Sequence, residues 1–303
     1  MQPILRLGTR GSPLALVQAR LVATALRDAH GWGPERIEIE PIATTGDQLR
    51  DRPISEMGGK ALWTKELDLA LLEGRIDLAV HSMKDVETIR PPELVIAAIL
   101  ERADVRDRLI GAGSLAALPE GARAGTSSPR RAAQLLARRP DLIIVPIRGN
   151  VETRLRRIQR GEADATLLAA AGLERLGHMQ TGVVLDDFLP APAQGAIGVE
   201  VRSADRRVRA LMAAIDHRAT HLCVAAERRL LEGLGGSCRS PVAALAILEG
   251  DQIRLRAEIL TEDGGEVERC DSTFPSGDAS APLDLARAML DRAAPRLRAL
   301  FSR

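Results

Sequence analysis

Four short segments of the chain gather the residue types that hold anions. They are Thr9-Arg10-Gly11-Ser12, His81-Ser82-Met83-Lys84-Asp85, Gly125-Thr126-Ser127-Ser128-Pro129-Arg130-Arg131, and Arg148-Gly149-Asn150 with Arg154 one helical turn further on. Each brings hydroxyls, a cation or both to a point where an apolar run gives way to a polar one. A helix N-terminus adds unpaired N–H groups and a partial positive charge. Arginine is unfavourable in a helix's first turn on dipole grounds, yet Arg130 and Arg131 directly follow the Ser-Ser-Pro cap. That placement points to an anionic partner, held by bidentate guanidinium–carboxylate pairs. Taken singly, each of these residues also reads as a solvated surface arginine or an ordinary cap.

Asp85 is of a different kind. It is a carboxylate beside Lys84 among cations, which favour its ionised form. An anion in an anion-binding region makes sense where a cationic intermediate must be stabilised; the alternative is a plain Lys–Asp surface pair. Of 42 basic residues only Lys60, Lys65 and Lys84 are lysine. An arginine-rich coding habit explains most of that bias. Three lysines within one short window also suit a site that wants compact point charges. Cys238 lies in the glycine-rich loop Leu234-Gly235-Gly236-Ser237-Cys238-Arg239-Ser240-Pro241. Loop position and a neighbouring arginine favour an accessible thiolate, although a lone loop cysteine is often incidental. Cys223 falls in a predicted helix and Cys270 in a predicted strand, so both are expected to be inert.

Helices and strands must position these groups. The pattern predicts strands over Ile4–Gly8, Ile37–Ala43, Ile76–His81 and Leu94–Leu100. Helices are predicted from Pro13, capped by Ser12, to about Ala29, and over Thr64–Glu73. The pattern restarts near residue 104, with strands Arg123–Gly125, Leu142–Ile147 and Ala165–Leu168. Helices follow Ser127 or Ser128, and cover Val151–Gln159 and Ala170–Leu176. The proline-rich Leu189–Gln194 reads as a crossover, and Ala196–Val201 as a strand returning to the first domain. From His217 a helix to Leu231, strands Val242–Leu248, Ile253–Leu260 and Glu266–Ser272, and a final helix Leu283–Leu300 make an α+β module. The fold class is therefore α/β: two α/β domains with mainly parallel sheets, plus a smaller C-terminal α+β domain with a three-stranded sheet. The domains are 1–100 with 196–216, 101–195, and 217–303. In such sheets ligands sit beyond the carboxyl ends of the strands, where the four segments fall.

Composition excludes several classes. The 303 residues are 45% hydrophobic and 27% charged, with a formal net charge of only +1 and 2% aromatics. Nucleic-acid binders carry a stronger positive balance and stacking residues. No CxxC, HExxH, Walker A or GxGxxG stretch is present, so no metal or nucleotide is expected. No apolar run nears the roughly eighteen residues of a membrane span, and the N-terminus does not read as a secretory signal. A cytoplasmic protein with free thiols is the expectation.

The segments LGTRGSPLAL (7–16), GGKALWTKEL (58–67), AVHSMKD (79–85), GTSSPRR (125–131) and RGNVETRL (148–155), with the loop around Cys238, resemble the porphobilinogen deaminase family over nearly the whole chain. The pairing of HSMKD with TSSxRR in this order is specific to it. The resemblance implies two domains similar to type II periplasmic binding proteins and a third that carries the cysteine. It implies a monomeric transferase of haem and chlorophyll biosynthesis whose partner is porphobilinogen. Four porphobilinogen molecules condense, with loss of ammonia, onto a dipyrromethane cofactor joined to Cys238 by a thioether. Hydrolysis then releases linear hydroxymethylbilane. Asp85 is implied as the catalytic carboxylate. Ser82, Lys84, Asp85, Thr126, Ser128, Arg130, Arg131 and Arg148 are implied to hold the cofactor. Arg10, Ser12, Lys60, Arg148, Arg154 and Arg175 are implied to bind substrate.

The chain departs from the family pattern at Glu56, where a lysine is common, at Arg239 beside the cysteine, and at Trp63 after GGK. These bear on substrate affinity and not on Asp85 or Cys238. A solute-binding protein of the same two-lobed kind is a competing reading, opposed by the third domain. A phosphate-handling enzyme is another, opposed by the lack of a phosphate loop or acidic metal ligands.

Overall fold

The computed structural model describes residues 5–44, 64–237 and 240–301. Thirteen strands occur among them. In chain order the first seven are β1 (Leu5–Arg10), β2 (Ile37–Ile42), β3 (Leu78–Ser82), β4 (Leu94–Ile99), β5 (Asp107–Ile110), β6 (Arg123–Gly125) and β7 (Ile143–Val145). The rest are β8 (Ala165–Ala169), β9 (Val183–Leu185), β10 (Ile197–Arg202), β11 (Val242–Glu249), β12 (Gln252–Leu260) and β13 (Val267–Pro275). They form two five-stranded sheets and one three-stranded sheet. The chain divides into two compact units, 1–103 with 196–221, and 104–195 with 222–303.

In the first unit the sheet order is β2-β1-β3-β10-β4. β2, β1 and β3 run parallel, and β10 runs antiparallel to both β3 and β4. The helix Pro13–His30 covers this sheet. It starts where Ser12 Oγ accepts a hydrogen bond from the Ala15 N–H, with Pro13 in its first turn, and ends at Gly31 in the left-handed conformation (φ 63°). Its buried stripe is Ala15, Gln18, Ala19, Val22, Ala23 and Leu26, the i, i+3, i+4 spacing of a core-facing helix. Leu7, Leu26 and Leu78 are fully buried in that core, each contributing about 1.5–3 kcal/mol.

In the second unit the order β7-β6-β8-β5-β9 repeats the same plan. β7, β6 and β8 are parallel, and β5 is antiparallel to β8 and β9. Both sheets thus place one antiparallel strand fourth. The same unit holds the antiparallel β11-β12-β13 sheet, with its own apolar core of Leu230, Val242, Leu255, Ile259 and Met289. The fold class expected from the sequence is the one observed.

Three local expectations need correction. β5 and β9 were not anticipated, because short strands beside charged residues show no period-two pattern. The final helix is two, Ala281–Arg292 and Pro295–Ala299. Pro295 lacks an N–H and disfavours helical backbone at the residue before it, so the first helix stops and a second starts at Pro295. A further helix, Arg206–Met212, follows β10, capped by the Asp205 side chain on the Val208 N–H.

Candidate active site

Beyond the carboxyl end of β3 the chain makes one tight turn, Met83–Asp85. Met83 is buried beneath it. β10 passes so closely there that a Cβ on Gly198 would collide with the Met83 thioether. The turn is thus packed from below, and Lys84 and Asp85 are left half-buried at its top.

A pocket in the first unit is lined by Arg10, Ser12, Gln18, Thr64, His81, Ser82 and Asp85, with Leu14, Ala15, Val80 and Val86 as its apolar wall. The strand-end segments around Arg10 and Asp85 therefore meet, as expected. Gln18 and Ser82 are joined by paired hydrogen bonds of 2.8 and 3.0 Å, the amide donating to Ser82 Oγ and the hydroxyl to Gln18 Oε1. Lys84 lies in the same turn but not in the pocket wall. Lys60, Glu56 and Trp63 lie outside the described residues.

Thr64 and His81 of the pocket wall also belong to a buried ionic network that sequence reasoning missed. Arg90 donates to Glu200 through Nε (2.8 Å) and Nη2 (2.9 Å), to Glu87 through Nη1 (2.7 Å) and to Asp68 through Nη2 (2.5 Å). Thr64 donates to Glu87 at 2.7 Å, and His81 Nε2 lies 3.2 Å from Glu200 Oε2. Burial alone would raise the Glu200 carboxyl; hydrogen bonds and charge from His81 and Arg90 outweigh it and hold it down at about 2. Burial raises Asp68 despite Arg90. His81 stood inside a recognised segment, but its partner is more than a hundred residues away, and no local pattern signals that.

In the second unit Ser128, not Ser127, caps the helix Pro129–Arg138 by accepting from the Arg131 N–H. Thr126 is buried and its hydroxyl accepts from the Ser128 N–H at 3.1 Å. Arg130 and Arg131 are only 3% and 5% exposed. Both pair with the fully buried Asp107, Arg130 at 2.8 Å and Arg131 at 2.6 Å. The anion that their first-turn position called for is therefore supplied within the chain, where an external partner alone was expected. The two guanidiniums hold Asp107 far below the usual carboxylate range against the opposing effect of burial. Arg130 also donates to Gln134 and the Leu189 carbonyl, and Arg131 to the Leu167 carbonyl. The Nε of each arginine is buried and has no hydrogen-bond partner.

Arg148 is half-buried after β7, and desolvation lowers its pKa. Arg154 Nε donates to the Gly149 carbonyl at 2.9 Å. Gly149 has φ 108°, which a side chain would strain. Arg175 Nη2 donates to the Gly195 carbonyl at 2.7 Å, and burial lowers its pKa also. Cys238 and Arg239 lie outside the described residues. Cys223 is buried, and burial pushes the half-buried Cys270 thiol up to about 11. Among the described residues no cluster of side chains could hold a metal ion.

Two family models match the chain. One, described as porphobilinogen deaminase, dipyromethane cofactor binding domain, covers residues 5–210; the other, porphobilinogen deaminase, C-terminal domain, covers 221–291. A curated protein from Sphingopyxis alaskensis named porphobilinogen deaminase is 54% identical over 306 residues, covering 98% of this chain and 96% of that one. One of the same name from Paracoccus denitrificans is 51% identical over 295 residues, covering 95% and 94%. Among solved structures, a putative methionine-binding lipoprotein from Bacillus subtilis aligns at 12% identity over 72% of this chain and 92% of its own, with a TM-score of 0.43.

Proposed function

The chain belongs to the porphobilinogen deaminase family, and we propose that Asp85 is its catalytic carboxylate and Cys238 its cofactor anchor. The enzyme is a transferase of tetrapyrrole synthesis. It condenses porphobilinogen, with loss of ammonia, on a dipyrromethane cofactor and releases a linear hydroxymethylbilane.

The residues present fit such a group. A dipyrromethane carries acidic side arms, and the unpartnered Arg130 Nε and Arg131 Nε are buried donors suited to an incoming carboxylate. Ser82, Lys84, Asp85, Thr126, Ser128, Arg130, Arg131 and Arg148 would hold it, with Cys238 as the thioether sulfur. Of the other two cysteines, one is buried and the other has a raised pKa, which disfavours the thiolate needed for attachment. When bound, the cofactor supplies the pyrrole end at which assembly starts. The working division of the chain is 1–100 with 196–216, 101–195, and 217–303.

Asp85 carries the chemical argument. Porphobilinogen bears an acetate and a propionate, so Arg10, Ser12, Lys60, Arg148, Arg154 and Arg175 bind it as an anion. Loss of ammonia leaves a cationic azafulvenium-type electrophile. A carboxylate beside Ser82 and Arg10 in the pocket wall weakens binding of the anion but stabilises the cation that forms from it. That is differential stabilisation of the reacting state.

No described helix is long and apolar enough to cross a membrane. A monomer in the cytoplasm suffices, since one chain supplies every group named and its thiols stay reduced there. The test is intact mass before and after adding porphobilinogen. The wild-type protein carries a covalent dipyrrole and gains further pyrrole units. Cys238→Ala carries none, whereas Cys223→Ala and Cys270→Ala keep it. An adduct that persists without Cys238 would overturn the anchor.

A further inference from the structure

Each condensation must shed a proton. The new bond joins the substrate's methylene carbon to the free α-carbon of the accepting pyrrole. The C–N bond to the departing ammonia breaks with its electron pair going to nitrogen. The α C–H bond then breaks with its electron pair returning to the ring. Something must take that proton without neutralising Asp85, whose negative charge is required again in the next round.

His81 borders the same pocket as Asp85. It is 5% exposed, and its Nε2 lies 3.2 Å from Glu200 Oε2. Glu200 is itself fully buried and clamped by two hydrogen bonds from Arg90. An ionised carboxylate can only accept, so Nε2 carries the hydrogen of that bond. In the neutral ring this leaves Nδ1 as a lone-pair acceptor, and Nδ1 has no hydrogen-bond partner among the described residues. A buried carboxylate behind an imidazole sets its tautomer and steadies the imidazolium once it forms, as in acid–base dyads elsewhere. Arg90 in turn fixes Glu200, and its contacts to Asp68 and Glu87 fix Arg90.

We infer that His81, oriented by Glu200, is the general base of the condensation. Nδ1 takes the proton released from the pyrrole α-carbon, and the imidazolium passes it to the departing ammonia, which leaves as ammonium. Atoms and charge balance: a substrate that enters with a protonated amine yields the new C–C bond and one ammonium ion, and both His81 and Asp85 return to their starting states. The assignment rests on the family's reaction and adds the proton's path to it.

His81→Gln is the informative variant, because a glutamine amide can still donate to Glu200 from near the Nε2 position while offering no base. Single-turnover condensation should fall about 100-fold, within the usual range for a lost general base, with porphobilinogen affinity unchanged within about twofold. Over successive condensations, in which each added pyrrole becomes the next acceptor, substrate deuterated at the free α-carbon should give the variant a primary isotope effect from the second addition onward that is larger than the wild type's, because loss of the proton has become slow. Independently of turnover, nitrogen-15 NMR of the wild-type protein, assigned by the same variant, should show neutral His81 as the Nε2–H tautomer. A wild-type rate in the variant, a slowed rate with no enhanced isotope effect, or an Nδ1–H tautomer would each overturn the inference. A wild-type protein that makes no bilane would instead count against the family reaction.

Discussion

Asp107 Oδ1 accepts a 2.6 Å hydrogen bond from Arg131 Nη2 in the interior of the second unit, with the acid fully buried and the arginine 5% exposed. Asp107 is the first residue of β5, opposite Ala169 of β8. The unanticipated strand is therefore what delivers the counterion. Gln194 adds a donor at 3.0 Å to the same oxygen. The arrangement fixes both arginines while leaving each Nε unpartnered.

Removing that carboxylate strands two buried cations. Asp107→Ala is expected to lower the stability of the second unit by about 3–5 kcal/mol, the usual penalty for breaking a buried pair from one side. Urea unfolding followed by circular dichroism measures it. A loss under about 0.5 kcal/mol would show that the arginines find another anion or do not need one.

Arg131 and Arg148 should separate stability from substrate handling. Arg131→Leu leaves Asp107 half-paired and is expected to weaken both folding and assembly. Arg148 is half-buried, so Arg148→Leu should leave the unfolding midpoint near wild type. It should weaken assembly by roughly 1.5–3 kcal/mol for a lost charged hydrogen bond, with intermediates trapped at a defined chain length. Intact-mass spectra taken during turnover show the trapped species, and their absence in the Arg148 variant would contradict its role.

For Asp85 the discriminating quantity is the split between affinity and rate. Asp85→Asn keeps size and much of the hydrogen bonding but loses the charge. Single-turnover rate should fall at least about 100-fold, the scale for a lost preorganised electrostatic group, while porphobilinogen binding holds or tightens. Asp85→Glu keeps the charge one methylene away and should retain more activity. An Asn variant that fails only through weaker binding would assign Asp85 to binding and not to catalysis.

Acid stability follows from two depressed carboxyls. Glu200 sits at about 2 in the fold against an ordinary 4.5, and Asp107 is also strongly lowered. A carboxyl whose folded pKa is depressed contributes stability that is complete above its unfolded pKa and is lost as pH falls through the folded value. Stability should therefore hold above about pH 5 and drop steeply from there toward pH 2. In Glu200→Gln the overall stability should be lower and the slope in that window shallower, because one linked proton is gone. An unchanged slope would mean that Glu200 is not held ionised by Arg90 and His81.

Much of the site was legible before any fold was known. Helix caps, strand-end hydroxyls and the lysine–aspartate turn are local features, and a few adjacent residues specify them. Ser12 caps its helix as the sequence indicates, and of the two serines it offered for the next helix Ser128 is the cap. The arginines were legible as cations in need of an anion. Which anion they would find was not.

The sequence by itself determined the alternation of strand and helix, the three sheets, the family, and the meeting of Arg10, Ser12, Ser82 and Asp85 at strand ends. Those follow from periodicity, capping and motif, all written within short stretches of chain. Only the tertiary structure decided that Asp107 would stand between Arg130 and Arg131, and that Glu200 would stand behind His81. Both partnerships use the strand that runs against its neighbours, β5 in one sheet and β10 in the other. A strand arriving from a distant part of the chain brings its carboxylate beside cations with which it shares no local pattern. Its charge is tolerated there because burial and pairing are established together, when the sheet closes.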